Sequence, residues 1–470
     1  MWSTQSSPLL FAATVAHLLL STANATPLEY NPITTTASAA SLTHSSPAFG
    51  AIAADTDTTA NTYEERSYLP DDADSLAQEA VTFNGSVAGN SSVLGSVHDR
   101  RLEETSTDLQ KLEAYFGQAM EVNVNNLVSS AAYYVMPWPS SYWPIYLDGI
   151  NYRWSSNYEP SPTEKYATAF GLDVDALMTS VSQSTGILST ASSQTSCFTD
   201  WDCSALNDGS TCATRNGEWQ GYCIPTWYGI CHAWAPAALL EPEPNCAVQY
   251  NGVTFQPMDI KALLAEIYDG ANLGTVFTGV RFYGPDSDAT TDQYGRYTDS
   301  ARRDIGPGFL HIALANVLGR FSTSVVLDVA GGAEVWNQPV YSYEVVTQTE
   351  MTPSQAASQY YGKSTYPFNS AAERIMYTET KITWMSESYQ DGGLVASGQA
   401  ASYMSSDTYT YLLELDNDYN ILGGEWVGDS DSDHPDFLWF PTARPDLSVV
   451  TDVGLSYKNV RELLDLATNC

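Results

Sequence analysis

Apolar and polar positions divide the chain into stretches of different texture. From Leu102 onward, Leu109-Gln-Lys-Leu-Glu-Ala-Tyr-Phe116 carries apolar residues at helical spacing and stops at Gly117, which predicts a helix. The same spacing predicts helices at 162–182 and 257–268. Strand-like apolar runs follow at 308–319, 323–329 and 333–346, and the last third alternates at 376–386, 407–415 and 419–427. Asp416-Asn417-Asp418 is a turn between the last two and predicts a hairpin. Residues 133–154 contain three Pro and three Trp, so they predict an ordered strap packed on a core, since Pro forbids a regular helix or central strand. An aromatic ligand platform is the alternative for this stretch. No internal repeat is visible. The pattern is α+β: a helical N-terminal part, then a mostly antiparallel sheet, with the β-rich part at 370–445.

Ahead of this region the pattern fails. Leu9–Leu20 is an apolar run too short to span a bilayer, and Ala23-Asn24-Ala25 follows it in a small-x-small arrangement, so residues 1–25 are expected to be a signal peptide. From Thr26 the chain is rich in Thr, Ser, Ala and Asp and poor in large apolar side chains, and cannot bury enough area to offset its ordering entropy. It carries two glycosylation sequons, at Asn84 and Asn90, and ends at Arg100-Arg101. Residues 26–101 are therefore expected to be disordered, as a pro-segment cut near the paired Arg or as an extension that stays attached. Residues 102–470 form the folded region.

Charge narrows the partners. Lys+Arg number 19 and Asp+Glu 55, giving 19 − 55 = −36. That excludes a nucleic-acid surface and argues against anchoring to an anionic membrane. No later run reaches the length of a membrane helix. A chain that is 43% hydrophobic and only 16% charged is expected to be a folded, secreted protein of the extracellular space or cell wall.

Seven cysteines stand at 197, 203, 212, 223, 231, 246 and 470. In an oxidising compartment six would make three disulfides and one would remain. The first four lie in a Gly/Asp/Ser/Asn-rich stretch, 195–223, that predicts a stapled knob, and their spacing lacks the close pairs of a zinc site. Cys231 has a different setting, Tyr228-Gly-Ile-Cys-His-Ala-Trp-Ala235, with small residues beside the sulfur. It is the expected free thiol, just ahead of a short helix whose N-terminus would lower its pKa. Cys470 is the alternative odd residue, available for an intermolecular bond.

A thiolate needs a proton partner. Outside the leader and the disordered segment the imidazoles are His232, His311 and His434, and His232 is adjacent to Cys231 and expected to point away. His311 lies in the apolar run Phe309–Leu318; Asp328 lies in Val325-Val-Leu-Asp-Val329. On two antiparallel strands Asp328 would orient His311. Cys231, then His311, then Asp328 is the order of a papain-like triad, with a core histidine as the competing reading. Asn337 is the alternative orienter.

Val335-Trp-Asn-Gln-Pro-Val340, followed by Thr347-Gln-Thr-Glu-Met-Thr352, resembles the elicitor segment of the secreted transglutaminases of oomycete plant pathogens, and Gly221–Ala237 resembles that family's nucleophile region. The likeness runs from about Leu112 to the C-terminus. It implies a calcium-dependent protein-glutamine γ-glutamyltransferase with Cys231 as nucleophile and His311 and Asp328 as partners. Its substrates would be proteins supplying Gln and Lys side chains, and a plant host receptor would detect Val335, Trp336, Asn337, Gln338, Pro339 and Val340. The oxyanion donors would be the Cys231 N–H and, as a second candidate, the Trp227 indole. A papain-like peptidase or amidohydrolase uses the same constellation, and a non-catalytic wall or host-surface binding protein is the other alternative. For calcium, Gly428–Asp436 offers Asp429, Asp431 and Asp433 at alternate positions, a pattern of hard oxygen ligands that competes with a plain solvated loop. Asp286, Asp288 and Asp292 form a similar, sparser cluster.

Overall fold

A computed structural model describes residues 40–43, 46–50, 100–284, 286–299, 301–303 and 305–470. The expected signal peptide and the sequons lie outside them. Strand β1 is Ala40–Ser41, and helix α1, Arg100–Phe116, ends at Gly117 in the left-handed region (φ +66°). A short strand β2 (Ser130–Ala132) leads into the strap, which has no long element of its own. Helices α2 (Pro162–Phe170) and α3 (Val174–Ser184) occupy the span expected to be one helix. They are separate because Gly171 caps α2 at φ +70° and Asp173 starts α3 by accepting from Ala176 N–H.

The knob at 195–223 holds β3 (Ser196–Cys197), α4 (Asp200–Cys203), β4 (Ser210–Ala213) and β5 (Gly221–Pro225), paired in the order β3-β5-β4. Disulfides Cys197–Cys212 and Cys203–Cys223 staple it. Next come α5 (Cys231–Leu240), the hairpin of β6 (Val248–Tyr250) and β7 (Val253–Phe255), and α6 (Pro257–Gly270). Both helices are buried nearly all round, as a helix inside a core is. Where α6 is polar it is paired: Lys165 Nζ meets Asp259 at 2.6 Å, and Lys261 Nζ meets Glu243 at 2.7 Å and the Pro139 carbonyl at 2.9 Å.

The remaining elements are β8 (Gly274–Gly279), α7 (Pro307–Ala313), β9 (Val326–Asp328), β10 (Asn337–Met351), α8 (Pro353–Tyr361), β11 (Arg374–Met385), β12 (Met404–Leu415), β13 (Ile421–Trp426), β14 (Phe437–Pro441) and α9 (Tyr457–Thr468). The main sheet runs β1-β8-β14-β9-β10-β11-β12-β13, with β2 also on β10, and its pairs are antiparallel. The expected α+β class with a mostly antiparallel sheet therefore holds. Asp416 shapes the β12–β13 turn by accepting from Asp418 and Asn420 N–H, both at 2.8 Å.

The run 308–319 is not a strand. Pro307 opens α7 and the chain continues in π-helical turns through Leu314–Arg320. Pro at the first helical position has the φ a helix needs and no N–H to leave unsatisfied.

Cys470, the alternative odd cysteine, is bonded to Cys246 across 224 residues of sequence. In the chain-entropy picture a loop of that size stabilises by about 5 kcal/mol. The double variant Cys246→Ser/Cys470→Ser is expected to melt on the order of 10 °C lower by calorimetry, while variants of the knob cysteines leave α9 docked.

Candidate active site

Cys231 is the one free cysteine, as its setting implied. The strap and the loop before α5 hold it by backbone: Ile230 N–H donates to the Tyr142 carbonyl at 2.7 Å, and Ile145 N–H to the Tyr228 carbonyl at 2.8 Å. A Cβ on Gly229 would lie 2.5 Å from the Tyr142 carbonyl oxygen, so glycine is what allows this approach. Cys231 is the first residue of α5 and not the residue before it, and Pro236 sits inside the helix. Pro236 leaves the His232 carbonyl without its helical donor. In the first turn, Ala233 and Trp234 N–H donate to the Ile230 carbonyl at 3.0 and 3.1 Å.

The thiol is 1% exposed. Its hydrogen faces the Val335 carbonyl at 3.6 Å, and Asn337 Nδ2 donates to Sγ at 3.5 Å. Asn337 is held in turn by Trp439, whose indole N–H donates to Asn337 Oδ1 at 2.7 Å. Burial pushes the thiol up to about 12; the Asn337 hydrogen bonds oppose this, and the charges of Glu387 and Asp328 add to it.

Asp328 is fully buried and stands directly opposite Asn337 in the β9–β10 pairing. Paired residues of an antiparallel ladder share a face, so the two side chains project to the same side. Asp328 Oδ1 accepts from Trp336 N–H at 2.8 Å and Ala330 N–H at 3.3 Å. Cys231, Asp328 and Asn337 are thus brought together.

His311 is not brought to them. On α7 its Nδ1 meets the Tyr411 hydroxyl at 2.8 Å, and that hydroxyl meets Thr380 at 2.6 Å. Among the described residues no hydrogen bond joins His311 to Cys231 or Asp328, so the expected strand-to-strand pairing with Asp328 is replaced by Asn337. Burial alone lowers the His311 pKa to about 4. The folded state therefore holds His311 neutral while an unfolded imidazole, at about 6.5, takes up a proton. Stability is expected to fall as pH drops from about 6.5 toward 4, by up to about 3 kcal/mol at roughly 1.4 kcal/mol per pH unit. Urea melts of His311→Gln should lose this part of the acid-side slope.

His232 points away from the thiol, as expected: Nε2 meets Asp269 at 2.9 Å and Nδ1 accepts from Gly50 N–H at 3.2 Å. His434 Nδ1 meets the Ser430 carbonyl at 2.7 Å and its ring stacks on Trp426.

Three residues that the sequence pattern did not single out also belong to the site. Glu387, just past β11, accepts from Gln338 Nε2 at 2.6 Å, and burial raises its pKa. Tyr142 of the strap packs edge-on against Trp336 at 5.1 Å between ring centroids. Arg281 is 3% exposed and donates through Nη1 to the carbonyls of Phe49 at 2.6 Å and Pro47 at 3.2 Å.

The transglutaminase elicitor family model matches residues 108–470. The chain belongs to the transglutaminase elicitor family. It is also similar to the crystal structure of the GP42 transglutaminase from Phytophthora sojae, at 48% identity and a TM-score of 0.70, covering 78% of this chain and 98% of that one. No match was found among the curated proteins.

Within this family member the segment Val335–Val340 is mostly interior. Val335, Asn337 and Val340 have no exposed surface and Gln338 is 3% exposed; Trp336 is half-buried and donates its indole N–H to Glu334 at 2.9 Å. Trp227 is buried edge-on against Tyr228 at 4.5 Å between centroids. The acidic loop is a 3₁₀ turn, Gly428–Asp431, continuing to Asp433. Among the described residues no three carboxylates gather their oxygens within 4.8 Å of one another. Asp286 is engaged instead by Arg302 at 2.9 Å, and Asp292 by Arg296 at 2.7 Å. No helix among the described residues is long and apolar enough to cross a membrane.

Proposed function

We propose that this protein is a secreted protein-glutamine γ-glutamyltransferase acting through Cys231. The observation that carries the reading is one unpaired thiol at the start of a buried helix, facing the Asn337 amide, in a chain of the transglutaminase elicitor family. Three disulfides suit an oxidising compartment outside the cell.

In the proposed reaction the Cys231 sulfur attacks the side-chain carbonyl carbon of a protein glutamine. The thiol proton passes to the Glu387 carboxylate, which takes the role first expected of His311. The tetrahedral oxyanion is met by Asn337 Nδ2 and by the Cys231 N–H. Its collapse breaks the C–N bond, and ammonia leaves with the proton from Glu387. A lysine amine then attacks the thioester carbonyl, gives its proton to Glu387, and displaces the sulfur, leaving an isopeptide bond. Asp328 ties the β9–β10 connection by accepting the Trp336 N–H, and so positions Asn337. No step is assigned to calcium.

Incubation with a glutamine donor peptide and a fluorescent amine tests the reading. Covalent incorporation of the amine is expected; peptide-bond cleavage without incorporation would make the site a peptidase. The buried Val335–Val340 is proposed as a host signal in its unfolded or proteolysed form. Chain digested into peptides should trigger plant cells at lower concentration than intact protein, and equal potency would refute this.

A further inference from the structure

A stretch expected to be disordered lies on the nucleophile. Four consecutive carbonyls of residues 47–50 are held by the groups that surround Cys231. Arg281 Nη1 donates to Pro47 and Phe49, Asn337 Nδ2 to Ala48 at 2.7 Å, and Gly229 N–H to Gly50 at 3.2 Å. The one donor running the other way is Gly50 N–H, to His232 Nδ1. The Phe49 ring lies over His232 at 3.8 Å between centroids, and the Phe49 N–H donates to the Ser46 carbonyl at 3.0 Å, folding the stretch into a turn. Ala48, Phe49 and Gly50 are buried. A Cβ on Gly50 would stand 3.3 Å from the Cys231 sulfur and 2.5 Å from the Gly229 carbonyl oxygen. The backbone of Gly50 thus passes close against the sulfur.

We propose that Ser46–Gly50 is an intramolecular inhibitor that fills the peptide-binding surface over Cys231, and that cleavage of the chain between Gly50 and Arg101 frees this surface for substrate. The contacts are the kind that recognise any peptide. They read main-chain carbonyls, and a single side chain, Phe49, packs on the His232 ring. When the segment leaves, Asn337 Nδ2, Arg281 Nη1 and the Gly229 N–H become donors for a substrate main chain. Arg281 has a further reason to hold an incoming chain: its Nε and Nη2 have no hydrogen-bond partner among the described residues. Glycine at position 50 is what lets a plug lie against the thiol without being a substrate. While joined, the segment is present at high effective concentration; once cut, it dissociates and dilutes. The raised pKa of the covered thiol accords with a resting, protonated state.

The inference rests on Cys231 as the reactive group but not on which acyl transfer it performs, and the test separates the two. The chain beginning at Thr26 is compared before and after cleavage by an Arg-specific protease, with the cut confirmed by N-terminal sequencing. Cys231 is read by its alkylation rate with iodoacetamide, and acyl transfer by amine incorporation. Cleavage is expected to raise both on the order of tenfold or more, and an added peptide of residues 40–50 to suppress both again at about millimolar concentration. In the uncut chain, Gly50→Val and Phe49→Ala are each expected to raise the alkylation rate; the cleaved native chain serves if a variant does not fold. Alkylation that is equally fast before and after the cut overturns the inference, as does full acyl transfer by the uncut chain. Faster alkylation with no acyl transfer leaves the inhibitor in place and refutes the proposed reaction.

Discussion

Replacement of Cys231 by Ala is expected to abolish amine incorporation by the released enzyme, by on the order of 10⁴-fold or more, since no other group can form the thioester. The side chain is small, and its contacts with Asn337 Nδ2 and the Val335 carbonyl are long, at 3.5 and 3.6 Å. The variant should therefore fold with a nearly unchanged melting temperature and keep its three disulfides. Its binding to a glutamine donor peptide should survive, because the groups proposed to hold the substrate main chain are Asn337, Arg281 and the Gly229 N–H. A non-catalytic binding protein would show no difference between Cys231→Ala and the native chain in any assay. Incorporation rates with the fluorescent amine, beside thermal melts, check this.

The second large effect is expected at Glu387. Burial raises its pKa, so the carboxylate proposed to accept the proton is lost over a range reaching closer to neutral than for an exposed Glu. The acid limb of the native rate profile should follow that titration: activity present above the raised pKa and lost as pH falls through it. Glu387→Gln keeps the shape of the side chain and removes the proton site. It is expected to lower the rate by about 10²- to 10⁴-fold and to flatten the acid limb. A merely structural Glu387 would change melting temperature and leave the limb in place. His311→Gln offers the contrast. Held by Tyr411 and neutral through the physiological range, His311 should affect acid stability far more than turnover.

What could be read from the chain, and what could not, follows from the range of each signal. Cys231 stood out because its neighbours differ from those of the knob cysteines, and disulfides at the other six confirm the reading. The β12–β13 turn was legible because Asp416-Asn417-Asp418 carries its own hydrogen-bonding chemistry. The strap 133–154 was legible because prolines exclude regular structure. Phe309–Leu318 was misread because a short run, apolar but for His311 and Asn316, has no clear period to distinguish strand from helix. The deciding signal was Gly306-Pro307 at its start. The helix sets His311 against Tyr411, not across from Asp328, whereas Asp328 and Asn337, on true strands, pair with each other. Glu387 gave no signal, because a lone acid in a polar stretch looks like any surface acid until the fold buries it. Residues 46–50 were hidden by composition averaged over the Ser- and Thr-rich segment; Pro47-Ala-Phe-Gly50 was its local exception.

The claim on which the rest depends is that the Cys231 sulfur carries the acyl group. Released enzyme mixed with a glutamine donor peptide, without any amine and quenched early in acid, can be measured by intact mass and then mapped by peptide sequencing. The account predicts an adduct of the peptide mass less one ammonia, located on Cys231 and discharged on addition of a lysine analogue. Amine incorporation that proceeds with no such adduct, or an adduct on any other residue, would contradict it.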